Sequence, residues 1–106
     1  MSRFLRFLSI AKKAGKLIEG YNRLTESKNN KEIYLLIMSN DLSKSSKDKF
    51  IKYCDEKNIS YINDFSKYEL ATAIGCSEIK ILGVLDKNIS EKLLKLYEEE
   101  KYMSRN

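Results

Sequence analysis

The run Gly20-Tyr21-Asn22-Arg23-Leu24-Thr25 gathers a glycine, an aromatic ring, an amide, a guanidinium and a hydroxyl in one short stretch. These groups suit reading a nucleic acid better than breaking a bond. An amide can pair a donor and an acceptor with a base edge, arginine can meet guanine or phosphate with two parallel N–H groups, and free backbone N–H groups at a helix start attract phosphate. The same residues also suit a plain helix start, with Asn22 as an N-cap that satisfies backbone donors. Catalysis has less to draw on. The chain has no histidine, which removes imidazole bases, histidine-activated nucleophiles and histidine-ligated metals. Ala14-Gly15-Lys16 lacks the spacing of a phosphate-binding P-loop, and no GxGxxG occurs. Asp41 and Asp86 each follow an apolar stretch, a position where a catalytic acid can stand but where a cap or turn former for the next helix is the usual occupant. Cys54 and Cys76 form no CxxC and are too few for structural zinc, so both are expected to be core thiols. No catalytic residue, metal or cofactor is expected.

The chain is 106 residues long, the size of one compact domain spanning residues 1–106, with a charged tail from about Glu98 that is expected to fray. Its 33% charged and 42% hydrophobic residues are the balance of a folding chain rather than a disordered one. The net charge of +5 is unevenly distributed: residues 1–31 carry +6 and the rest −1. A basic first third on a neutral body suggests a face that meets a polyanion, although a solvated lysine-rich surface would look the same. The longest uncharged apolar run, Ile33 to Met38, is far short of the roughly 20 residues a membrane-spanning helix needs. Met1 to Ile10 has no signal-peptide core, so a cytoplasmic location is expected.

The elements that must position the Gly20 stretch follow from periodicity. Phe4, Leu5, Leu8 and Ala11 recur at helical spacing between a Ser2 N-cap and Gly15. Leu17 and Ile18 make a short strand, and Gly20 turns the chain into a weak second helix that Asn29-Asn30 closes. Ile33 to Met38 reads as a strand buried on both faces. A helix over about Ser43 to Lys57 follows, with Phe50, Ile51 and Cys54 inward, and then a short strand from Ile59 to Ile62. Ser66-Lys67-Tyr68-Glu69 is a capping box that opens a helix over Lys67 to Ile74, stopped by Gly75. Ile79 to Leu85 is the last strand. Asn88 and Glu91 frame the start of a final helix, with Leu93, Leu94, Leu96 and Tyr97 inward. This alternation argues for an α/β layered fold with helices on both faces of a small sheet and a site at the strand ends.

Ala14-Gly15-Lys16-Leu17-Ile18-x-Gly20-Tyr21-Asn22-x-x-Thr25 resembles the signature of the kink-turn-binding ribosomal protein family, the superfamily of the archaeal large-subunit kink-turn protein. Ile37-x-Ser39-x-Asp41, then Tyr53 to Tyr61, then Ser66-Lys67-x-Glu69-Leu70-x-x-Ala73-x-Gly75 are similar to further family blocks in the same order. Together they cover roughly residues 4 to 97, and the short bacterial, YlxQ-like branch is the nearest in pattern. The resemblance implies a three-layer α-β-α sandwich with a small mixed four-stranded sheet. It also implies RNA recognition at tandem sheared G·A pairs by Gly20, Tyr21 and Asn22. A loop over Cys76 to Lys80 would cover an unstacked base, with Ile79 as its apolar contact and Lys80 beside it. Covering a splayed base suits RNA, whose unpaired bases expose their faces.

Two departures change the chemistry. The family pattern continues Asn-Glu-x-Thr-Lys, whereas this chain has Arg23 and Glu26 around Thr25, so both charges are reversed. Ala71-Thr72 stands where the family has Gly-Lys, which removes another cation. The expected function is therefore non-enzymatic binding of a structured RNA, a kink-turn, in association with the ribosome or translation. Asn22 and Arg23 would specify the RNA, and Lys12, Lys13, Lys16 and Lys28 would hold phosphates. The expected state is a monomer without membrane contact. The alternative is an adaptor on the same fold that docks on ribosomal or transcription proteins and binds RNA weakly.

Overall fold

The computed structural model describes residues 2–105. Helix α1, Arg3–Lys13, begins where the Ser2 Oγ accepts from the Leu5 N–H at 3.1 Å, and it buries Phe4, Leu5, Leu8 and Ala11 as the spacing predicts. Strand β1 is Leu17–Glu19, helix α2 is Tyr21–Ser27, and strand β2 is Leu35–Ser39. Helix α3, Lys44–Lys57, leads to strand β3, Ser60–Phe65, and helix α4, Lys67–Ile74, leads to strand β4, Ile81–Val84. Helix α5, Lys87–Arg105, closes the chain.

The four strands form one mixed sheet in the order β1-β4-β2-β3. Strands β2 and β3 are parallel, while β4 runs antiparallel to both β1 and β2. Successive strand residues face opposite sides, and that alternation divides the core in two. Leu35 and Ile37 of β2 and Leu82 and Val84 of β4 pack with α1, α4 and α5 around Phe4, Leu8, Leu70 and Leu93. Leu36 and Met38 of β2, with Ile81 of β4, pack with α2 and α3 around Leu24, Phe50 and Cys54. The expected three-layer α-β-α sandwich is what the chain adopts.

Several boundaries differ from the sequence reading, each for a local reason. Ile33 is buried but precedes β2, and Tyr34 only joins the ladder through its N–H to Val84 O at 2.9 Å. Strand β3 runs past Ile62 to Phe65 because it is an edge strand, where polar Asn63 and Asp64 can face solvent. Strand β4 is shorter than Ile79 to Leu85 at both ends. In α3 the fully inward residue next to Phe50 and Cys54 is Tyr53, while Ile51 is only half-buried. Helix α5 is capped by Asp86, whose Oδ1 accepts from the Ile89 N–H at 2.9 Å, and not by Asn88.

The tail also departs from expectation. Instead of fraying at Glu98, α5 continues to Arg105; Asn106 lies outside the described residues. The Glu100 Oε1 accepts from the Phe4 N–H at 3.1 Å, supplying an acceptor to the start of α1. Tyr97 donates to the Asp64 carboxylate, and Lys101 lies 3.4 Å from the same group. Burial, followed by this carboxylate, raises the Tyr97 pKa.

The seat of α2 depends on one residue of β4. A Cβ placed on Gly83 would lie 3.0 Å from Leu24 Cδ1 and 3.2 Å from Ile33 Cγ2. Gly83→Val should therefore overpack the α2 layer and cost roughly 1–3 kcal/mol in chemical denaturation. An unchanged midpoint would show that α2 is not held by this contact.

Candidate nucleic-acid interface

The sheet brings three helix starts to one rim. Strands β1, β2 and β3 all run toward it, because each is antiparallel to β4 or parallel to a strand that is. Backbone bonds tie the rim laterally: Gly20 N–H to Ile81 O at 2.9 Å, Ser39 N–H to Lys80 O at 2.7 Å, and Asn40 N–H to Phe65 O at 2.8 Å. Helices α2, α3 and α4 follow these strands, so their N-terminal N–H groups and the positive ends of their dipoles gather here.

The three starts are not equivalent. At α3 the Ser43 Oγ accepts from the Ser46 N–H at 3.3 Å, and at α4 Ser66 and Glu69 form the predicted capping box. Helix α2 has no side-chain cap. Its N-cap is Gly20, with φ 96° and ψ 153°, so the sequence reading of Asn22 as N-cap is corrected. A positive φ of this size suits glycine alone, and the space a Cβ would enter is open. The first N–H groups of α2 are thereby left to solvent or to a ligand.

Among the expected site residues, Asn22 and Arg23 are exposed in this first turn. Neither side chain has a hydrogen bond or ion pair among the described residues. Tyr21 is 40% exposed but committed to the protein: its ring meets Phe50 edge-on at 5.5 Å, and its hydroxyl accepts from Lys49 Nζ at 2.9 Å. Thr25 is half-buried, with an Oγ1 that is enclosed and unpartnered, so its hydroxyl is not displayed. Lys80 is exposed next to Ile81 on the same rim.

Other expected contacts lie elsewhere. Ile79 is 8% exposed and belongs to the core cluster with Leu70 and Ile74, so it anchors its loop and is not an open apolar contact. Lys12 is ion-paired with Glu19. Lys13 ends α1, and Lys16 O accepts from the Leu85 N–H at 2.8 Å at the opposite rim, about 13 Å of strand from Gly20. Lys28 caps the far end of α2, with its Nζ 5.1 Å from the Tyr53 ring centroid. The basic first third is thus two groups of charges, not one patch.

The fold adds cations that the sequence did not single out. Lys49 reaches Tyr21, and Lys47 Nζ donates to Asn40 O at 2.9 Å. Lys67 stands 3.7 Å from Glu78. In the sequence these lysines look like an ordinary solvated helix face, and only the strand order shows that they border the rim. Asp41 sits among them as the single acid of its loop. Its carboxyl is held below the usual range first by the Ser39 hydroxyl, which faces it without full hydrogen-bond geometry, and then by its own amide and by Lys67 and Lys80. Among the described residues, no group of acids or thiols is arranged to hold a metal, and no helix is long and apolar enough to cross a membrane.

The profile of the ribosomal protein L7Ae/L30e/S12e/Gadd45 family matches residues 3–94. No curated protein matches the sequence. Among solved structures, the chain is similar to a protein with unknown function from Bacillus halodurans, with TM-score 0.86 and 28% identity over 91% of this chain and 97% of that one. It is also similar to the Giardia lamblia 15.5kD RNA binding protein, with TM-score 0.72 and 15% identity over 90% of this chain and 82% of that one, which is a likeness of fold.

The two thiols differ in reach. Cys54 is buried, and burial, then Asp55, pushes its pKa up to about 12. Cys76 is exposed in the loop before β4, which corrects the expectation of two core thiols. A thiol reagent at mildly alkaline pH should modify one cysteine of the native protein and the second only after unfolding. Equal reaction at both in the native state would contradict this geometry.

Proposed function

The chain belongs to the ribosomal protein L7Ae/L30e/S12e/Gadd45 family, and from that premise we propose that it is a non-enzymatic RNA-binding protein that recognises a kink-turn and works with the ribosome or translation. Within the family we place it in the short bacterial, YlxQ-like branch. The observation that carries the reading is the start of α2, where glycine leaves the helix uncapped and Asn22 and Arg23 project unpaired from the first turn. Open N–H donors accept a phosphate or base oxygen, the Asn22 amide pairs with a base edge, and Arg23 pairs with guanine O6 and N7 or with phosphate.

The roles then divide by rim. Tyr21 positions the entrance through Phe50 and Lys49 and does not read a base itself. Lys80 flanks the entrance across β4 and supplies phosphate attraction. Lys13 and Lys16 meet the backbone of a flanking RNA helix at the other rim, positioning without specifying. Lys12, answered by Glu19, contributes least. The adaptor reading is favoured by one observation: the acid Glu26 is exposed on α2 where the family pattern has a lysine.

Binding to a kink-turn RNA near physiological salt separates the two. Asn22→Ala should cost about 1–3 kcal/mol on the intact kink-turn and leave a duplex without the G·A pairs unaffected. Lys13→Ala should weaken all RNAs alike and reduce the slope of log K against log salt by about 1. Weak binding of the native protein that ignores RNA sequence and is indifferent to Asn22 would favour the adaptor.

A further inference from the structure

A cavity of about 350 Å³ opens at the far ends of α2 and α3, away from the entrance at Gly20. Lys28, Lys31 and Lys57 stand around it. From its lining we infer that it is a second site, which takes a single nucleotide: one unpaired base together with its phosphate. The inference depends on the RNA-binding reading only for the source of that nucleotide. Its chemistry stands on the pocket itself.

The floor is apolar and fixed. Ile33 is buried, Ile59 is half-buried, and Tyr53 is 7% exposed with its hydroxyl donating to Lys28 O at 3.2 Å. The Lys28 ammonium lies 5.1 Å from the Tyr53 ring centroid, so a flat base meets this floor at Ile59 and beside Lys28 rather than on the Tyr53 face. Asn29 and Asn30 are exposed at its edge and offer paired amide donors and acceptors to a base. The lysines supply the phosphate attraction. None of the ion pairs among the described residues involves Lys28, Lys31 or Lys57. The one acid in the lining, Glu32, faces the Tyr34 hydroxyl, whose pKa it raises. The volume is at the lower end of small-molecule sites, which begin at roughly 300 Å³.

Lysines near helix C-termini often do no more than answer the dipole, as Lys28 and Lys57 can, but that does not account for Lys31. Lys31 lies beyond the end of α2. Some carbonyls at these ends already have partners: Leu24 O has Lys28 N–H, Ser27 O has the Asn30 and Lys31 N–H groups, Lys28 O has Tyr53, and Cys54 O has the Asn58 and Ile59 N–H groups. Helix α2 has 7 residues, so the pocket is about 10 Å along its axis from the entrance, within reach of one RNA strand that engages both.

The test is an amide-resolved NMR titration of the full chain with nucleoside monophosphates, paired with binding to a kink-turn RNA that is blunt or carries a single-stranded extension. Nucleotides should shift Lys31, Ile33, Tyr53 and Ile59, and the double variant K31E/K57E should weaken this binding about tenfold with an unchanged melting curve. If the strand supplies the nucleotide, the extension strengthens RNA binding and the double variant removes that gain. If free nucleotide is the ligand, mononucleotides bind and the extension adds nothing. Absence of nucleotide binding, or inorganic phosphate binding as well as the nucleotides, overturns the site. Asn22→Ala should leave the nucleotide titration unchanged. A protein that binds nucleotides but no kink-turn would therefore refute the entrance alone, and the converse would refute the pocket alone.

Discussion

The approach of Leu24 to Gly83 is the contact on which the arrangement of the rim around Gly20, Asn22 and Arg23 depends. Helix α2 is short and has a single buried apolar residue, so it cannot hold its place by an extended stripe. It holds because the central strand β4 presents a glycine on that face, letting the Leu24 side chain sit directly against backbone, with Ile33 closing the same space. The Gly20 N–H bond to Ile81 O fixes the start of the helix two residues away along the same strand. Asn22 and Arg23 are thereby aimed by a rigid sheet, although the helix that carries them has little stability of its own.

Strand direction then decides where charge accumulates. Because three strands run to one rim, α2, α3 and α4 start there, and their N–H groups face outward together. The ends of α1, α2 and α3 fall at the other rim, with lysines in or just beyond the last turns of each. A summed charge along the chain treats Lys12 to Lys31 as one basic region. The sheet separates it into an entrance with few unpaired cations but open backbone donors, and a distant group of lysines. An RNA that used both would have to span the body of the protein, and phosphate attraction at one rim is largely screened from the other beyond about 8–10 Å.

Much of the fold was legible in the sequence because its elements are locally self-consistent. Ser2 and Ser66 cap where their side chains predict, and the apolar spacing of α1 and the β2 run place their residues in the core. The errors fall where tertiary context outweighs local pattern. Strand β3 extends through Asn63 and Asp64 because an edge needs no alternation there, and α5 continues through a run of glutamates because Glu100 and Lys101 find partners on α1 and β3. At the candidate site, the sharp turn at Gly20 was legible from its type. The burial of Ile79, the pairing of Lys12 and the role of Lys49 were not, since each depends on which strands lie side by side.

The uncapped start of α2 has an energetic meaning. Serine caps on α3 and α4 show that this chain uses such caps readily, and a glycine in place of one costs about a few tenths of a kcal/mol. That cost is offset from outside the helix, by Leu24 against Gly83 and by Tyr21 against Phe50 and Lys49. The unsatisfied donors are therefore carried by packing, and they become useful only when an acceptor arrives. Arg23 has the same polarity. It offers five N–H donors and no acceptor, whereas a glutamate at this position would offer acceptors alone. With backbone donors and guanidinium side by side, the entrance as a whole is a donor surface, complementary to phosphate oxygens and to the O6 and N7 edge of guanine rather than to its N–H edge. Asn22 can both donate and accept, so under the proposed RNA reading it and Arg23 would divide the recognition, Arg23 meeting an acceptor edge and Asn22 an edge that pairs a donor with an acceptor.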